Sequence, residues 1–354
     1  MNAANPPAKH HYIPAFYLKR WVGPDDKVTE FTKPYRDIVV KPITPERTGY
    51  QEKLYELKGY EPELAQQVEE KFFKPIDTWA SNALDMLERH GHNAPWNSDS
   101  RSAWTRFILS LLLRCPEDIA LFREWWHADF GQTDEAAEAR YRAARKDGDP
   151  ETFAEFLDGQ PLSVKERYQY EVLFSLIDHE KVGGEMNEMH WRVLQTPAEA
   201  PTLLTSDRPI LRTSNLKGPQ GHILLPIGPR LLFFASPDAD FLKQVLKANQ
   251  VGLAKEVNRQ VVEGATRFVY GVDDKQVRFV QNRFGKTPQP RLMESLRCVW
   301  RPRTGSEGLP GGSRRAAFMS TRPSVTPPPT HADPHSAGPQ GLRPSGRVAS
   351  FQVC

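Results

Sequence analysis

The hydrophobic pattern of this chain changes period once, at Gly183-Gly184. Before this point, apolar residues recur at intervals of three and four, which is the period of one helical face. After it, short aliphatic and aromatic runs are separated by turn residues, which is typical of strands. The pattern therefore predicts an α+β fold, with a helical first half packed on a mostly antiparallel sheet from the second half.

The helical pattern covers most of the chain between residues 61 and 182. One apolar face runs from Leu64 to Leu87, with a predicted kink at Pro75 and an end at Gly91. A very apolar second helix follows, capped by Ser98 or Asp99. Two more helices are predicted over 134–147 and 164–177.

Strands are predicted at both ends of the folded part. A small hairpin is expected within residues 1–60, and the Pro226–Pro229 turn predicts a second one. One long helix is predicted over 240–263, broken at Gly252. The predicted strands cover 27–33, 35–40, 191–194, 203–205, 223–225, 231–235, 267–270 and 277–281.

The composition changes again near residue 300. Residues 301–354 hold seven Arg, no Lys, nine Pro and seven Gly, with few large aliphatic residues. Such a segment buries too little surface to offset its ordering entropy, so a disordered tail is predicted. Its Arg residues could touch anionic partners, or it could be an appended, out-of-frame reading of GC-rich DNA. The predicted organisation is an N-terminal arm and hairpin (1–60), a helical region (61–182), a strand-rich region (183–300) and this tail, with 60–300 as one compact domain.

Several classes of protein are disfavoured by composition. The first 300 residues carry 40 basic and 42 acidic side chains, which is no strong nucleic-acid signal. The longest apolar run, 107–113, is far shorter than the roughly 20 residues of a membrane span. The three cysteines form no Cys-x-x-Cys pair and no disulfide framework. No secretion signal is evident, and a soluble cytoplasmic protein without membrane contact is expected.

Imidazoles and aromatic rings are densest at the N-terminus. His10 and His11 open a run that also holds Tyr12, Tyr17 and Trp21. Imidazole suits proton transfer and metal binding near neutral pH, and adjacent residues of a strand point to opposite faces. At most one of the two histidines is therefore expected to face a given site. Alternatively, His11 is hydrogen-bonded in the core while the aromatic residues anchor the arm.

Charged residues border the apolar helical faces. Glu69 shares its face with Ala65 and Phe73, and Arg101 and Arg114 flank the apolar face of the next helix. A buried unpaired charge costs several kcal/mol, so pairing of Glu69 with Arg114 or Arg101 is expected. The alternative is an arginine that holds a phosphate or carboxylate bidentately.

Two further polar positions occur in the second half. Ser206 and Asp207 follow the apolar run 202–205. Asp207 could be a functional carboxylate at a strand end, or the pair could form an ordinary turn. Asn258 lies on an otherwise apolar helical segment, where it could cap the helix or cross-link it to the sheet.

Taken in order, these motifs resemble the domain-of-unknown-function family 4238. The opening motif is His-Tyr-x-Pro-x-x-Tyr-Leu-x-x-Phe, with Trp21 here in place of the usual Phe. The resemblance spans about residues 9–285 and implies that the scattered polar residues belong to one site. No activity is established for the family. The matching positions are His11 to Trp21, Glu69, Arg114 to Pro116, Ser206 to Pro209, Asn258 and Arg267 to Tyr270.

Two hypotheses for function follow. The leading one is a noncatalytic interaction or accessory module whose buried polar network specifies the fold. The other is a metal-dependent hydrolase of phosphodiester or similar bonds. In that enzyme His11, Glu69 and Asp207 would be catalytic around Mg²⁺ or Mn²⁺. The supporting residues would be His10, Tyr17, Arg101, Arg114, Ser206 and Asn258.

Overall fold

The computed structural model describes residues 9–60, 68–130, 132–218 and 220–294. The predicted tail over 301–354 and the first residues of the helix predicted from Leu64 lie outside these ranges. The described residues form two compact units, one made of 9–128 and 161–294 and the other of 129–160. The domain boundaries expected from the sequence remain a prediction.

The larger unit is helical in its first part. A π-helical turn, Glu69–Phe73, leads directly into a long helix that ends where Gly91 takes a positive φ of 54°. The next helix begins at a capping box formed by Asn97 and Ser100, one residue before the predicted cap. The helices are α1 (Ala15–Leu18), α2 (Lys74–His90), α3 (Ser98–Leu113), α4 (Pro116–Asp129), α7 (Leu162–Ile177), α8 (Glu180–Glu188), α9 (Ala239–Lys247), α10 (Gln250–Gly264) and α11 (Val277–Arg283).

All strand pairs of the described residues are antiparallel. Two sheets have four strands, in the orders β3-β2-β10-β6 and β5-β9-β8-β7, and β1 pairs with β4. The strands are β1 (Lys9–His11), β2 (Val28–Thr32), β3 (Val39–Ile43), β4 (Tyr50–Glu52), β5 (His190–Gln195), β6 (Thr205–Ser206), β7 (Leu211–Arg212), β8 (Ile223–Pro226), β9 (Leu231–Ser236) and β10 (Val269–Gly271).

The helical part packs on the sheets as predicted. Trp104 of α3 meets Phe233 of β9 edge-on, with ring centroids 5.6 Å apart. Trp21 of the N-terminal arm is fully buried, and its indole Nε1 donates to the carbonyl oxygen of Leu203 at 2.8 Å. These contacts join the arm, the helices and the second-half strands in one core, and the predicted α+β class is confirmed.

The hairpin predictions hold with small shifts. β2 pairs with β3, and β8 pairs with β9 across the Pro226–Pro229 turn. The first hairpin then joins strands from the far end of the chain, because Phe31 of β2 lies opposite Val269 of β10.

Two local predictions were wrong. Residues 277–281 form helix α11 rather than a strand, and Val280 and Phe284, four residues apart, are both buried. The break predicted at Gly252 in the helix over 240–263 lies earlier along the chain, and it divides the segment into two helices. They separate at Asn249, whose side chain accepts hydrogen bonds from the amides of Val251 and Gly252 and so caps α10.

The smaller unit contains two short helices, α5 (Glu135–Ala144) and α6 (Phe153–Asp158). Tyr141 of α5 packs against Phe153 and Phe156 of α6, with ring centroids 5.4 and 5.5 Å away. Across both units, none of the described helices is long and apolar enough to span a membrane.

Candidate functional site

The N-terminal arm separates its two histidines as the strand period predicts. His10 of β1 is fully buried, stacks on Tyr55 with ring centroids 5.4 Å apart, and accepts the Tyr55 amide at 2.8 Å. His11 points to the other face and tilts against Tyr50. Its Nε2 is buried without a partner among the described residues. Burial lowers the pKa of His11, and the charge of Arg114 lowers it further.

Arg114 ends α3 and is wholly buried, with a side-chain exposure of 0%. Its Nε donates to the carbonyl of Tyr12 at 3.1 Å, and Nη1 donates to Oδ1 of Asp77 at 2.9 Å. Nη2 has no partner among the described residues. The guanidinium also lies 5.8 Å from the ring centroids of both Phe73 and Phe107. We call Arg114, Asp77, Glu69 and His11 the arginine centre, since Arg114 bonds Asp77 and its charge acts on the other two.

Glu69 lies on the π-helical turn and is 6% exposed. Its Oε2 is buried and has no partner among the described residues. Burial raises the pKa of Glu69 to about 7, and the Asp77 charge adds to this rise while Arg114 opposes it. Arg114 takes Asp77 as its ion-pair partner, so the expected pairing of Glu69 with Arg114 or Arg101 was wrong.

The sequence reasoning did not select Asp77. Its signal was the spacing of Glu69, Phe73 and Asp77, which recur every four residues on one helical face. A carboxylate at this spacing is not by itself a sign of burial, so Asp77 was not among the predicted residues.

Asp207 belongs to a different group of contacts at the end of β6. Its Oδ1 accepts the amide of Thr266 at 3.0 Å and its Oδ2 accepts the amide of Arg267 at 2.7 Å. Ser206 is buried, and its Oγ accepts the amide of Arg208 at 3.1 Å. Burial raises the pKa of Asp207 to about 6, and the two amide donors oppose the rise. We call Ser206 and Asp207 with these amides the strand-end cluster.

Tyr12 connects the two groups. Its carbonyl accepts from Arg114, and its side chain lies near enough to Asp207 for that carboxylate to add to the burial that raises the Tyr12 pKa. Cys115, the residue after Arg114, donates from Sγ to the carbonyl of Asp207 at 3.2 Å. The predicted residues therefore lie in two adjoining clusters rather than in one ligand shell.

The other predicted residues form hydrogen bonds to main-chain groups of distant segments. Tyr17 donates to the carbonyl of Pro226 at 2.7 Å, and Arg101 donates to the carbonyl of Met189 at 2.9 Å. Asn258 accepts the Leu204 amide and donates to the Thr202 carbonyl, each at 2.8 Å. Asn258 thus cross-links α10 to the segment before β6, one of the two roles predicted for it.

Among the described residues, no three His, Cys, Asp or Glu side chains are grouped so that they could hold a metal ion. Within the arginine centre the polar atoms left over are one imidazole nitrogen, one carboxylate oxygen and one guanidinium nitrogen. This set can exchange protons and hold a small polar group by hydrogen bonds.

The fold and these clusters define an α+β protein with a buried polar core between its N-terminal arm, its helices and its short strands. The model of the family described as protein of unknown function (DUF4238) matches residues 9–275, and the chain belongs to that family. No curated protein and no solved structure matches it. The family expected from the sequence is confirmed.

Proposed function

We propose that the protein is a noncatalytic interaction or accessory module, and that its buried polar residues specify the fold. The observation that carries this proposal is the use of Asp207. Both of its carboxylate oxygens accept backbone amides, which fixes the orientation of this side chain against the main chain. Hydrogen bonds to a charged group contribute about 1.5–3 kcal/mol each, so these contacts hold β6 to the segment before β10.

Other predicted site residues support the same function. His10, Tyr17 and Asn258 each bond a main-chain group of another segment. Arg101 does so as well, and its guanidinium lies 3.9 Å from the ring centroid of Trp191. Such contacts define which segments pack together, a role that buried polar groups fill in some proteins.

A metal-dependent hydrolase is the second candidate, and one observation favours it. Glu69 and His11 each keep a buried polar atom without a described partner, and unsatisfied buried groups are often found where a ligand or water binds. In this alternative Glu69 and His11 would act with Asp207 around Mg²⁺ or Mn²⁺. The amides on Asp207 and the lack of a described three-ligand group weigh against the metal.

The experiment compares the wild-type chain with Glu69→Gln and with Glu70→Gln, a matched change at the exposed neighbour. Each is assayed on chromogenic phosphomonoester and phosphodiester substrates with Mg²⁺ or Mn²⁺. We expect equal, background hydrolysis from all three proteins. Turnover that is lost in Glu69→Gln and kept in Glu70→Gln would overturn the noncatalytic proposal.

A thermal melt with the same metals tests the alternative separately. A ligand at 100 times its dissociation constant stabilises a folded protein by about 2.7 kcal/mol. We expect no rise in melting temperature with either metal. A rise that is abolished by Glu69→Gln and unaffected by Glu70→Gln would favour the hydrolase.

A further inference from the structure

A surface hollow lies beside the last turns of α2, and it shares no residue with the arginine centre or the strand-end cluster. Its volume is about 290 Å³, close to the lower limit of about 300 Å³ for sites that bind small molecules. The residues that line it are Asn82, Asp85, Met86, Arg89, His90 and Pro95. All but Pro95 recur at helical spacing along α2, and Pro95 belongs to the connection between α2 and α3. The hollow therefore has room for one small organic molecule.

Two opposite charges face each other at this hollow without a close contact. Nη2 of Arg89 lies 3.9 Å from Oδ2 of Asp85, which is beyond hydrogen-bond distance. The side chain of Arg89 is 73% exposed and that of Asp85 is 41% exposed. An exposed ion pair of this kind contributes at most about 1 kcal/mol, so a ligand can replace it at little cost.

Asp85 is held from its other side by the N-terminal arm. Arg20 donates from Nη2 to Oδ1 of Asp85, and from Nε to Oε1 of Glu88 at 2.8 Å. This contact uses one oxygen of Asp85 and leaves Oδ2 to accept a hydrogen bond from a ligand. The guanidinium of Arg89 has several N–H donors, and none of them bonds a described residue within hydrogen-bond distance. The hollow thus offers a fixed negative acceptor and a positive donor side by side.

The rest of the lining is uncharged or apolar. Met86 is partly buried and Pro95 is exposed, and both present apolar surface to the hollow. Asn82 and His90 are exposed and add polar side chains. A ligand that matches this lining carries a positive and a negative group close together, next to an apolar group.

We propose that this hollow binds an α-amino acid with an apolar side chain. The carboxylate of the ligand accepts hydrogen bonds from Arg89, its ammonium group donates to Oδ2 of Asp85, and its side chain packs on Met86 and Pro95. An α-amino acid carries both charged groups on one carbon atom, which suits a guanidinium and a carboxylate 3.9 Å apart. A simple anion or cation would satisfy only one of these two side chains. The proposal does not rest on the function proposed above.

The test is equilibrium dialysis of the full chain against radiolabelled L-leucine at pH 7. We expect saturable binding, with the label displaced by unlabelled L-leucine. Two analogues, 3-methylbutylamine and 4-methylpentanoate, keep the side chain and each lack one of the two charged groups. Because each loses a charge-assisted hydrogen bond, both should displace the label at least about tenfold less well. No saturable binding, or displacement by either analogue as effective as by leucine, would overturn the proposal.

Two variants assign the binding to this hollow. Arg89→Gln removes a mostly exposed guanidinium, so the chain should fold normally and bind leucine at least about tenfold more weakly. The control is Arg167→Gln on α7, because Arg167 is 48% exposed and also pairs with a carboxylate four positions away, that of Glu171. This control should bind leucine as the wild type does. Equal binding by Arg89→Gln and the wild type, or equal weakening in both variants, would contradict the site.

Discussion

The arginine centre and the strand-end cluster bury similar side chains and use them differently. In the strand-end cluster, both oxygens of Asp207 are occupied by backbone amides. In the arginine centre, Glu69 and His11 each keep one polar atom with no described partner, and so does Arg114. A satisfied buried group contributes to stability, whereas an orphaned one lowers it by about 1–3 kcal/mol.

This difference separates two reasons for burying polar residues. The strand-end cluster holds the end of β6 to the segment before β10 through two amide contacts. The arginine centre keeps a stability penalty, which is the pattern expected where a ligand or a functional proton is accommodated. The following variants test whether the two clusters differ in energy as they differ in geometry.

The largest effect is expected from Arg114→Met. The change leaves the carboxylate of Asp77 without its ion-pair partner, and breaking a buried pair from one side costs about 3–5 kcal/mol. The measurement is urea unfolding at pH 7. The double variant Arg114→Met with Asp77→Leu removes both charges and should recover part of the loss. A double variant less stable than Arg114→Met alone would show that the pair is not the source of the effect.

Asp207→Asn should have a smaller effect. The amide side chain keeps one acceptor and turns an NH₂ group toward a backbone N–H, so one hydrogen bond is lost and another loses its charge. Because burial also raises the pKa of Asp207 to about 6, the amide relieves part of a charge-burial penalty, and we expect the free energy of unfolding to fall by about 1–2 kcal/mol at pH 7. Asp274→Asn, a change at an exposed aspartate in the turn after β10, is the control and should be neutral. A neutral Asp207→Asn would mean that these amide contacts contribute nothing measurable.

Several features of the fold and of the candidate site could be predicted from residue periodicity and local motifs. The alternation of His10 and His11, the turn at Pro226–Pro229 and the cross-link by Asn258 each depend on a few neighbouring residues, and the structure agrees with all three. The α+β class follows from the single change of period. Local patterns carry this information because they reflect backbone geometry directly.

What the sequence could not supply depends on distance or on an irregular turn. The π-helical turn at Glu69–Phe73 departs from the regular helical repeat, and the spacing of the apolar residues does not mark it. The pairing of β2 with β10 joins residues more than 230 positions apart, and no local period encodes it. The ion pair of Arg114 with Asp77 joins residues 37 positions apart, so no local period encodes that pairing either.

Glu69→Gln should raise the free energy of unfolding, whereas Asp207→Asn should lower it. Burial holds the pKa of Glu69 at about 7, whereas an exposed Glu has a pKa of about 4.3. The folded protein therefore binds a proton that the unfolded chain releases, and stability decreases as pH rises from about 4 to above 7. Replacing the carboxylate removes this penalty, so we expect a gain of about 1–3 kcal/mol at pH 8.

The measurement is urea unfolding of Glu69→Gln and of its exposed control Glu70→Gln at pH 5 and pH 8. The gain should be present for Glu69→Gln at pH 8, fall to about a third of that value at pH 5, and be absent for Glu70→Gln at both values. A loss of stability in Glu69→Gln at pH 8 would show that the carboxylate is satisfied and that the two clusters do not differ.

The smallest effect on the free energy of unfolding is expected from His11→Gln. Here stability is lost as pH falls, whereas at Glu69 it is lost as pH rises. Burial lowers the pKa of His11, so the folded state takes up a proton less readily than the unfolded chain, whose histidine titrates near pH 6.5. Stability is therefore lost as pH falls below about 6.5, and His11→Gln should remove that loss while changing little at pH 8. Since one pKa unit corresponds to about 1.4 kcal/mol, we expect the effect of His11→Gln on the free energy of unfolding to differ by at most about 1 kcal/mol between pH 8 and pH 5.

The measurement is urea unfolding of His11→Gln at both pH values, with His92→Gln, a change at an exposed histidine, as the control. An equal acid sensitivity of His11→Gln and the wild type would show that the pKa of His11 is not lowered in the folded protein.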